Sequence, residues 1–194
     1  MIYDHHIVFG VIASIIGLLS YPLYFRDILK GLSKPHVFSW FIWFLLTGIT
    51  FLIQLAEGGG AGSIVTGVES LCCFALAVLA YTKGEREITR SDWVCFALAL
   101  VAIVLWQLAD APTFAVVMVI VADTLALIPT LRKSYIKPHQ ETASQYALSS
   151  LHWVIAIIAL ESLAPANWLV PAWMATFDMV LVAVLLVRRK QLRV

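Results

Sequence analysis

Residues 21–43, YPLYFRDILKGLSKPHVFSWFIW, contain the end of one apolar segment, a short basic loop and the start of a second apolar segment. The loop carries Arg26, Lys30 and Lys34, and basic loops lie on the cytoplasmic side of a membrane. Pro22 lies in the first segment, close to this loop. The pattern predicts two membrane-spanning helices that are joined on the cytoplasmic side.

The same pattern continues along the rest of the chain. Each apolar segment is about 16–21 residues long, close to the length of a helix that crosses a bilayer. The segments cover residues 6–25, 36–56, 62–82, 93–109, 112–131, 144–161 and 168–187. We therefore predict an all-α integral membrane protein with seven transmembrane helices.

The charged residues predict the orientation of these helices. All 13 Lys and Arg residues lie after segments one, three, five or seven, which places them on one side of the membrane. The opposite side carries only acidic residues, at Asp4, Glu57, Asp110 and Glu161. By the positive-inside rule, the N-terminus is expected outside and the C-terminus in the cytoplasm.

Composition supports a membrane class and excludes others. The chain is 61% hydrophobic, and its mean hydropathy is +0.91, well above the usual values for soluble domains. The basic residues are explained by topology and by anionic lipids, so no nucleic-acid partner is expected. Cys72, Cys73 and Cys95 lie within apolar segments and are interpreted as packing residues rather than a disulfide framework.

A second copy of the opening pattern occurs in residues 128–150, IPTLRKSYIKPHQETASQYALSS. The corresponding pairs are Pro22 and Pro129, Ser39 and Ser144, Glu57 and Glu161, and Glu69 and Asp178. Two three-helix units would point in opposite directions unless one further helix separated them. Segment four, whose only strongly polar residue is Gln107, is interpreted as that linker. The predicted organisation is a first unit at 1–83, a linker helix at 84–111 and a parallel second unit at 112–194.

This organisation resembles the PQ-loop superfamily, which includes the SWEET transporters, cystinosin and the KDEL receptor. The resemblance rests on the 3+1+3 plan, the outside N-terminus and the proline near the cytoplasmic end of each unit's first helix. The Pro-Gln pair of the family reads Pro22-Leu23 and Pro129-Thr130 here, and acids replace the asparagines of SWEETs at Glu69 and Asp178. The KPH…SW loop is also similar to that of small bacterial membrane proteins, so we expect a bacterial inner (plasma) membrane location.

Three acids lie within the apolar segments, at Glu69, Asp123 and Asp178, and no Lys or Arg lies at that depth. An ionised carboxylate in hydrocarbon costs at least about 2.5–3.5 kcal/mol, so such groups normally face a bundle interior or a watery cavity. Glu69 and Asp178 correspond by repeat, and we expect them to share a central cavity, with at least one of them neutral. Hydrogen-bonding between helices is the alternative role of these acids.

Further residues are candidates for the solute path or for a hinge. His152 could exchange a proton with a nearby acid, and Trp43 and Trp153 could form aromatic walls, although core packing explains each of them equally well. Pro22 and Pro129 could kink their helices and serve as a gate or hinge.

Catalytic and cofactor motifs are not found, so an enzyme is not expected, and neither a metal site nor a cofactor is predicted. The function that fits best is transport of a small polar solute by alternating access, with proton coupling through the carboxylates. A nicotinamide-riboside-type vitamin permease, a non-transporting receptor or sorting protein, and a structural subunit are the alternatives. The expected partners are the solute and the lipid bilayer, and a homo-oligomer is left open.

Overall fold

The computed structural model describes residues 5–106 and 112–192, and these residues form seven α-helices. The helices are α1 (His5–Leu29), α2 (Val37–Ala56), α3 (Ala61–Lys83), α4 (Arg90–Trp106), α5 (Pro112–Ile136), α6 (Ala143–Ile158) and α7 (Pro165–Gln191). A single 3-10 turn, Pro138–Gln140, precedes α6. The prediction of an all-helical chain is confirmed. Asp4, Gln107, Asp110 and Arg193 lie outside the described residues.

The helices have the length and surface of membrane-embedded elements. Helices α1, α2, α3 and α7 are long and apolar enough to cross a bilayer, and α6 is a shorter apolar helix. Large apolar side chains such as Leu71 and Val104 are exposed, whereas Glu69, Gln145 and Asn167 are buried. This arrangement, with polar groups inside and apolar groups outside, is consistent with a membrane-embedded protein.

Several helix boundaries differ from the apolar segments that predicted them. Helix α1 continues to Leu29 and α5 to Ile136, beyond the predicted ends at residues 25 and 131. Basic side chains can extend from a helix end towards water, so the helix need not end where the apolar run does. Helix α7 begins three residues early, at Pro165, because proline fits the first turn of a helix.

The helices pack as two groups of three, α1–α3 and α5–α7. In the first group α3 contacts α1 and α2, and in the second group α7 contacts α5 and α6. The two groups meet where α1 contacts α6 and α5 contacts α2, with smaller contacts from α3 to α6 and from α2 to α7. Helix α4 packs against α5 and the edge of α2.

Small residues allow the two groups to approach closely. A side chain at Gly17 would place its Cβ 2.7 Å from Nδ1 of His152, and one at Gly62 would lie 2.8 Å from Cδ2 of Leu160. Both distances are shorter than a non-bonded contact allows. Glycine therefore permits α1 to pack on α6, and α3 to pack beside the end of α6, at their observed separation.

Candidate functional site

A small cavity lies at the centre of the bundle, between α2, α3, α6 and α7. Its volume is about 30 Å³, which is enough for one or two water molecules. Its lining comprises Trp40, Trp43, Thr47, Glu69, Cys73, Gln145, Tyr146, Ser149, Trp153, Met174, Phe177 and Asp178. No Lys, Arg or His is among these lining residues. The cavity therefore combines two carboxyl groups with a largely aromatic wall.

Glu69 is held from two sides by other helices. The hydroxyl of Tyr21 on α1 donates to Oε1 of Glu69 at 2.5 Å. On α6, Nε2 of His152 lies 3.7 Å from Oε2 of Glu69. These contacts fix the position of the Glu69 carboxyl group, which still lines the cavity.

The aromatic wall is formed by rings that contact one another. The rings of Trp40 and Trp43 pack edge to face with centroids 4.9 Å apart, as expected for neighbours at i and i+3 on one helix. Trp43 contacts Phe177 of α7 at 5.8 Å, so this wall bridges the two helix groups. The indole of Trp153 packs on the ring of His152 at 4.8 Å.

A network of buried polar groups closes one end of the bundle. At this end the last turns of α1, α3, α5 and α7 carry Lys or Arg, and we call it the basic end. Lys133 forms an ion pair with Glu141, and both side chains are almost completely buried. The hydroxyls of Tyr24 and Tyr146 donate to Oε2 of Glu141 at 2.9 and 3.2 Å. The ammonium of Lys133 also donates to the backbone carbonyl of Lys34.

A chain of hydroxyl groups reinforces the basic end. The hydroxyl of Thr142 donates to Oδ2 of Asp27 at 2.9 Å and lies 2.6 Å from Oγ of Ser33. Because the single hydroxyl proton of Thr142 is used by Asp27, Ser33 must be the donor of the shorter bond. These bonds join the loop after α1 to the start of α6, between Tyr24 and the surface.

Asp92 ties the start of α4 to the basic end. It accepts from the backbone N–H of Thr89 at 2.7 Å and from Arg132 of α5 at 2.7 Å. Burial alone would raise the pKa of Asp92, but the hydrogen bonds of Thr89 and the charges of His36 and Arg132 lower it below its ordinary value.

Reciprocal contacts between loops close the other end, which we call the acidic end after Glu57 and Glu161. The side-chain amide of Gln54 donates to the backbone carbonyl of Asn167 at 2.9 Å. The carboxylate of Glu161 accepts from the backbone N–H of Ala61 at 3.3 Å. Gly60 has a φ of +57°, and any side chain there would overlap the Glu161 carboxylate. Each loop of this end therefore contacts the first turn of a helix in the other group.

Part of the sequence is similar to two bacillus proteins. Over 104 residues, the chain is 30% identical to a UPF0344 protein of Bacillus velezensis and 29% identical to the UPF0344 protein YisL of Bacillus subtilis. The matched region is 52% of this chain and 86% of each relative. The chain belongs to the UPF0344 family. Neither relative's name states an activity or a ligand.

Two other comparisons of this UPF0344 chain found no relative. No protein-family model matches it. No solved structure matches it. The chemistry of its own side chains therefore carries the functional argument.

The cavity of the UPF0344 chain brings together four of the six residues predicted for the solute path. Glu69, Asp178, Trp43 and Trp153 line it. His152 lies behind Glu69, with Nδ1 3.0 Å from the carbonyl oxygen of Ala13. The prolines Pro22 and Pro129 lie inside α1 and α5, away from the cavity lining.

Asp123 lies to the side of the cavity, where α5 packs on α7. Its Oδ2 accepts from the indole N–H of Trp173 at 2.6 Å, and the residue is fully buried. Trp173 of α7 thus has a buried acid of α5 as its hydrogen-bond partner. The contact is of the kind that hydrogen-bonds helices to one another.

Sequence reasoning missed several residues that shape the site. Gln145 and Tyr146 line the cavity, and Lys133 with Glu141 closes the basic end. Lys133 was interpreted only as a topology determinant, because hydropathy cannot distinguish a buried base from one in a loop. The only available signal was the position of Glu141, an acid in an otherwise basic loop.

Proposed function

We propose that this UPF0344 chain is a seven-span membrane transporter that moves a small polar solute by alternating access between two parallel three-helix units. The observation that carries the proposal is the central cavity, which is lined by the second and third helices of both units and contains Glu69 and Asp178. Small-solute sites of repeat-built transporters lie at such an interface.

The helix contacts support the two-unit organisation. Exchanging α1, α2 and α3 for α5, α6 and α7 maps each contact among these helices onto another observed contact. The α2–α3 contact corresponds to α6–α7, α1–α3 to α5–α7, α1–α6 to α5–α2, and α3–α6 to α7–α2. Helix α4 has no counterpart, as expected for a linker.

The spacing of the lining residues supports the same correspondence. Helix α2 contributes positions 40, 43 and 47, and α6 contributes positions 145, 146, 149 and 153, so the steps of three and four residues in α2 recur at 146, 149 and 153. The third helix of each unit contributes one carboxyl group, Glu69 on α3 and Asp178 on α7. Two units therefore present similar faces to one cavity.

The proposed hinges lie at equivalent positions. Pro22 is seven residues before Leu29, the end of α1, and Pro129 is seven residues before Ile136, the end of α5. Each proline removes one backbone hydrogen bond and so weakens its helix locally. Bending at these prolines would move Tyr24 at the end of α1 relative to Lys133 at the end of α5. This movement would break the network of the basic end and open that end.

The closed ends support an occluded state of an alternating-access cycle. Gln54 and Glu161 make the contacts of the acidic end, and Lys133 and Glu141 make those of the basic end. A transporter must open one end while the other stays closed. By the positive-inside rule the basic end is cytoplasmic, so its opening would release solute to, or admit it from, the cell interior.

Uptake into proteoliposomes tests the proposal. Purified protein would be screened with labelled amines, amino acids, sugars and nucleosides across an imposed pH gradient. We expect uptake of at least one class, with a pH dependence that Glu69→Gln and Asp178→Asn abolish. Asp123→Asn is the matched control, because this acid is buried but does not line the cavity. Wild-type vesicles no more permeable than empty vesicles would refute transport, and unchanged pH dependence in both variants would refute coupling.

A further inference from the structure

The chemistry of the central cavity identifies a class of solute. We propose that the cavity binds a small organic ammonium ion. The proposal uses the site identified under the proposed function, but its chemical argument does not depend on transport. Three properties of the cavity carry it: two carboxyl groups, aromatic walls and the absence of basic side chains from its lining.

Three side chains of the cavity present acceptor oxygens. Glu69 and Asp178 contribute carboxyl oxygens. Gln145 is only 2% exposed, and its Oε1 has no hydrogen-bond partner in the protein. An unpaired acceptor in a buried site costs free energy unless a ligand or water satisfies it. A solute that brings positive charge or N–H groups would satisfy these atoms.

The hydroxyl donors near the cavity are already engaged. The hydroxyl of Thr47 donates to the backbone carbonyl of Trp43 at 2.7 Å, and that of Tyr146 donates to Glu141. The hydroxyl of Tyr21 donates to Glu69. A sugar presents many acceptors as well as donors and needs both kinds of partner. The indole N–H groups of Trp40 and Trp43 remain unpaired, so the preference for an ammonium ion over a polyol comes from the two carboxyl groups and the lack of basic side chains in the lining.

The aromatic walls favour a cation of the same kind. Trp40, Trp43, Tyr146, Trp153 and Phe177 line the cavity, and the faces of such rings attract ammonium groups. Within the described residues no cluster of three or more His, Cys, Asp or Glu side chains could hold a metal ion. The aromatic walls favour an organic cation. The cavity has room for one or two water molecules, so an ion larger than methylammonium requires the α2–α3 and α6–α7 pairs to separate.

Binding to the purified protein in detergent tests the inference without assuming transport. The probes are methylammonium, ethanolamine, choline and tetramethylammonium. Choline is compared with its uncharged isostere, in which a tert-butyl group replaces the trimethylammonium group. We expect at least one ammonium probe to bind, and the isostere to bind at least about tenfold more weakly than choline if choline is the ligand. Glucose and maltose are tested in parallel.

Two pairs of variants place the binding at the cavity. Asp178→Asn and Trp153→Phe are expected to weaken binding at least about fivefold. Asp123→Asn and Trp168→Phe are the matched controls, since neither residue lines the cavity, and they should bind like wild type. If a variant fails to fold, the comparison of choline with its isostere on the wild-type protein still decides.

The outcomes separate this inference from the proposed function. Binding of glucose or maltose without any ammonium probe would overturn the ammonium inference and leave transport standing. Ammonium binding that the cavity variants do not weaken would also overturn it. Absence of binding by every ammonium probe, in protein that takes up another solute into vesicles, would do the same. Ammonium binding without vesicle uptake would support the inference and count against transport.

Discussion

Nε2 of His152 lies 3.7 Å from Oε2 of Glu69, and the pair connects α6 to α3 beside the central cavity. The other ring nitrogen, Nδ1, is 3.0 Å from the carbonyl oxygen of Ala13, which can only accept. Nδ1 therefore carries a hydrogen, and a neutral His152 would present a lone pair to Glu69. The geometry therefore predicts which ring nitrogen of a neutral His152 carries the hydrogen.

The Nδ1–H tautomer of His152 is the first prediction. In Glu69→Gln, the side-chain amide can donate to Nε2, so the neutral ring of His152 should keep its proton on Nδ1, next to the carbonyl oxygen of Ala13. Nitrogen NMR of protein labelled at histidine measures the tautomer directly, and His152→Gln identifies the signal. A neutral ring with its proton on Nε2 would contradict the geometry.

The buried ion pair between Lys133 and Glu141 gives the second prediction. Lys133→Met alone or Glu141→Gln alone should cost about 3–5 kcal/mol, because each leaves one buried group without its partner. The double variant should cost clearly less than the sum of the single variants. Thermal or denaturant unfolding in detergent measures these effects. Glu87→Gln is the control, since the Glu87 side chain is 74% exposed in its pair with Lys137, and such a pair is worth at most about 1 kcal/mol.

The contact of Gly17 with His152 gives the third prediction. Gly17→Ala should destabilise the protein by about 1–3 kcal/mol, because the new methyl group would press α1 away from α6. Gly48→Ala is the matched control, since its methyl group would meet only Oγ of Ser70, at 3.2 Å. Equal stabilities of the two variants would show that α1 and α6 do not pack as described.

The environment of Asp92 gives the fourth prediction, which concerns pH. A carboxyl group whose pKa is lowered by folding stabilises the protein above its ordinary value of 3.8, and this contribution is lost as the pH falls through the lower folded value. Asp92→Asn should therefore cost about 1–3 kcal/mol at neutral pH. The difference from wild type should stay constant down to about pH 4 and shrink only below it.

The melting temperature in detergent, measured as a function of pH for both proteins, tests this prediction. Glu87→Gln is the control, because the Glu87 side chain is 74% exposed, and its loss should change stability by at most about 0.5 kcal/mol. A difference between wild type and Asp92→Asn that vanished already at pH 6 would be inconsistent with a lowered pKa.

The sequence predicted the helices well, because long apolar runs between polar turns leave few alternatives. It predicted their ends less well, since α1 and α5 carry their basic residues within the last turns. Depth along a helix can be estimated from the sequence, which predicts Glu69 and Asp178 at one level, and both residues line the cavity. The rotation of a helix about its own axis cannot be estimated in this way. The sequence therefore did not indicate that Asp123 contacts Trp173 and does not line the cavity.

Contacts between distant segments were beyond sequence reasoning. Gln54 and Asn167 are 113 residues apart in sequence, and Tyr24 and Glu141 are 117 apart. Neither pair has a periodic signal, because each depends on how α1, α2 and α7 are arranged around one another. Such bonds can be recognised only after the helices have been assembled.

The burial of Lys133 has a consequence for biogenesis. By the positive-inside rule, Lys133 would contribute its charge to the orientation of α5 during synthesis, before Glu141 has been made and packed against it. In the finished protein the same charge is paired with Glu141 and buried. One base would thus act first in insertion and later in the packed structure. A substitution at position 133 should therefore have two separable effects. An effect on the orientation of α5 would arise during translation, and an effect on packing would arise only after α6 has been made.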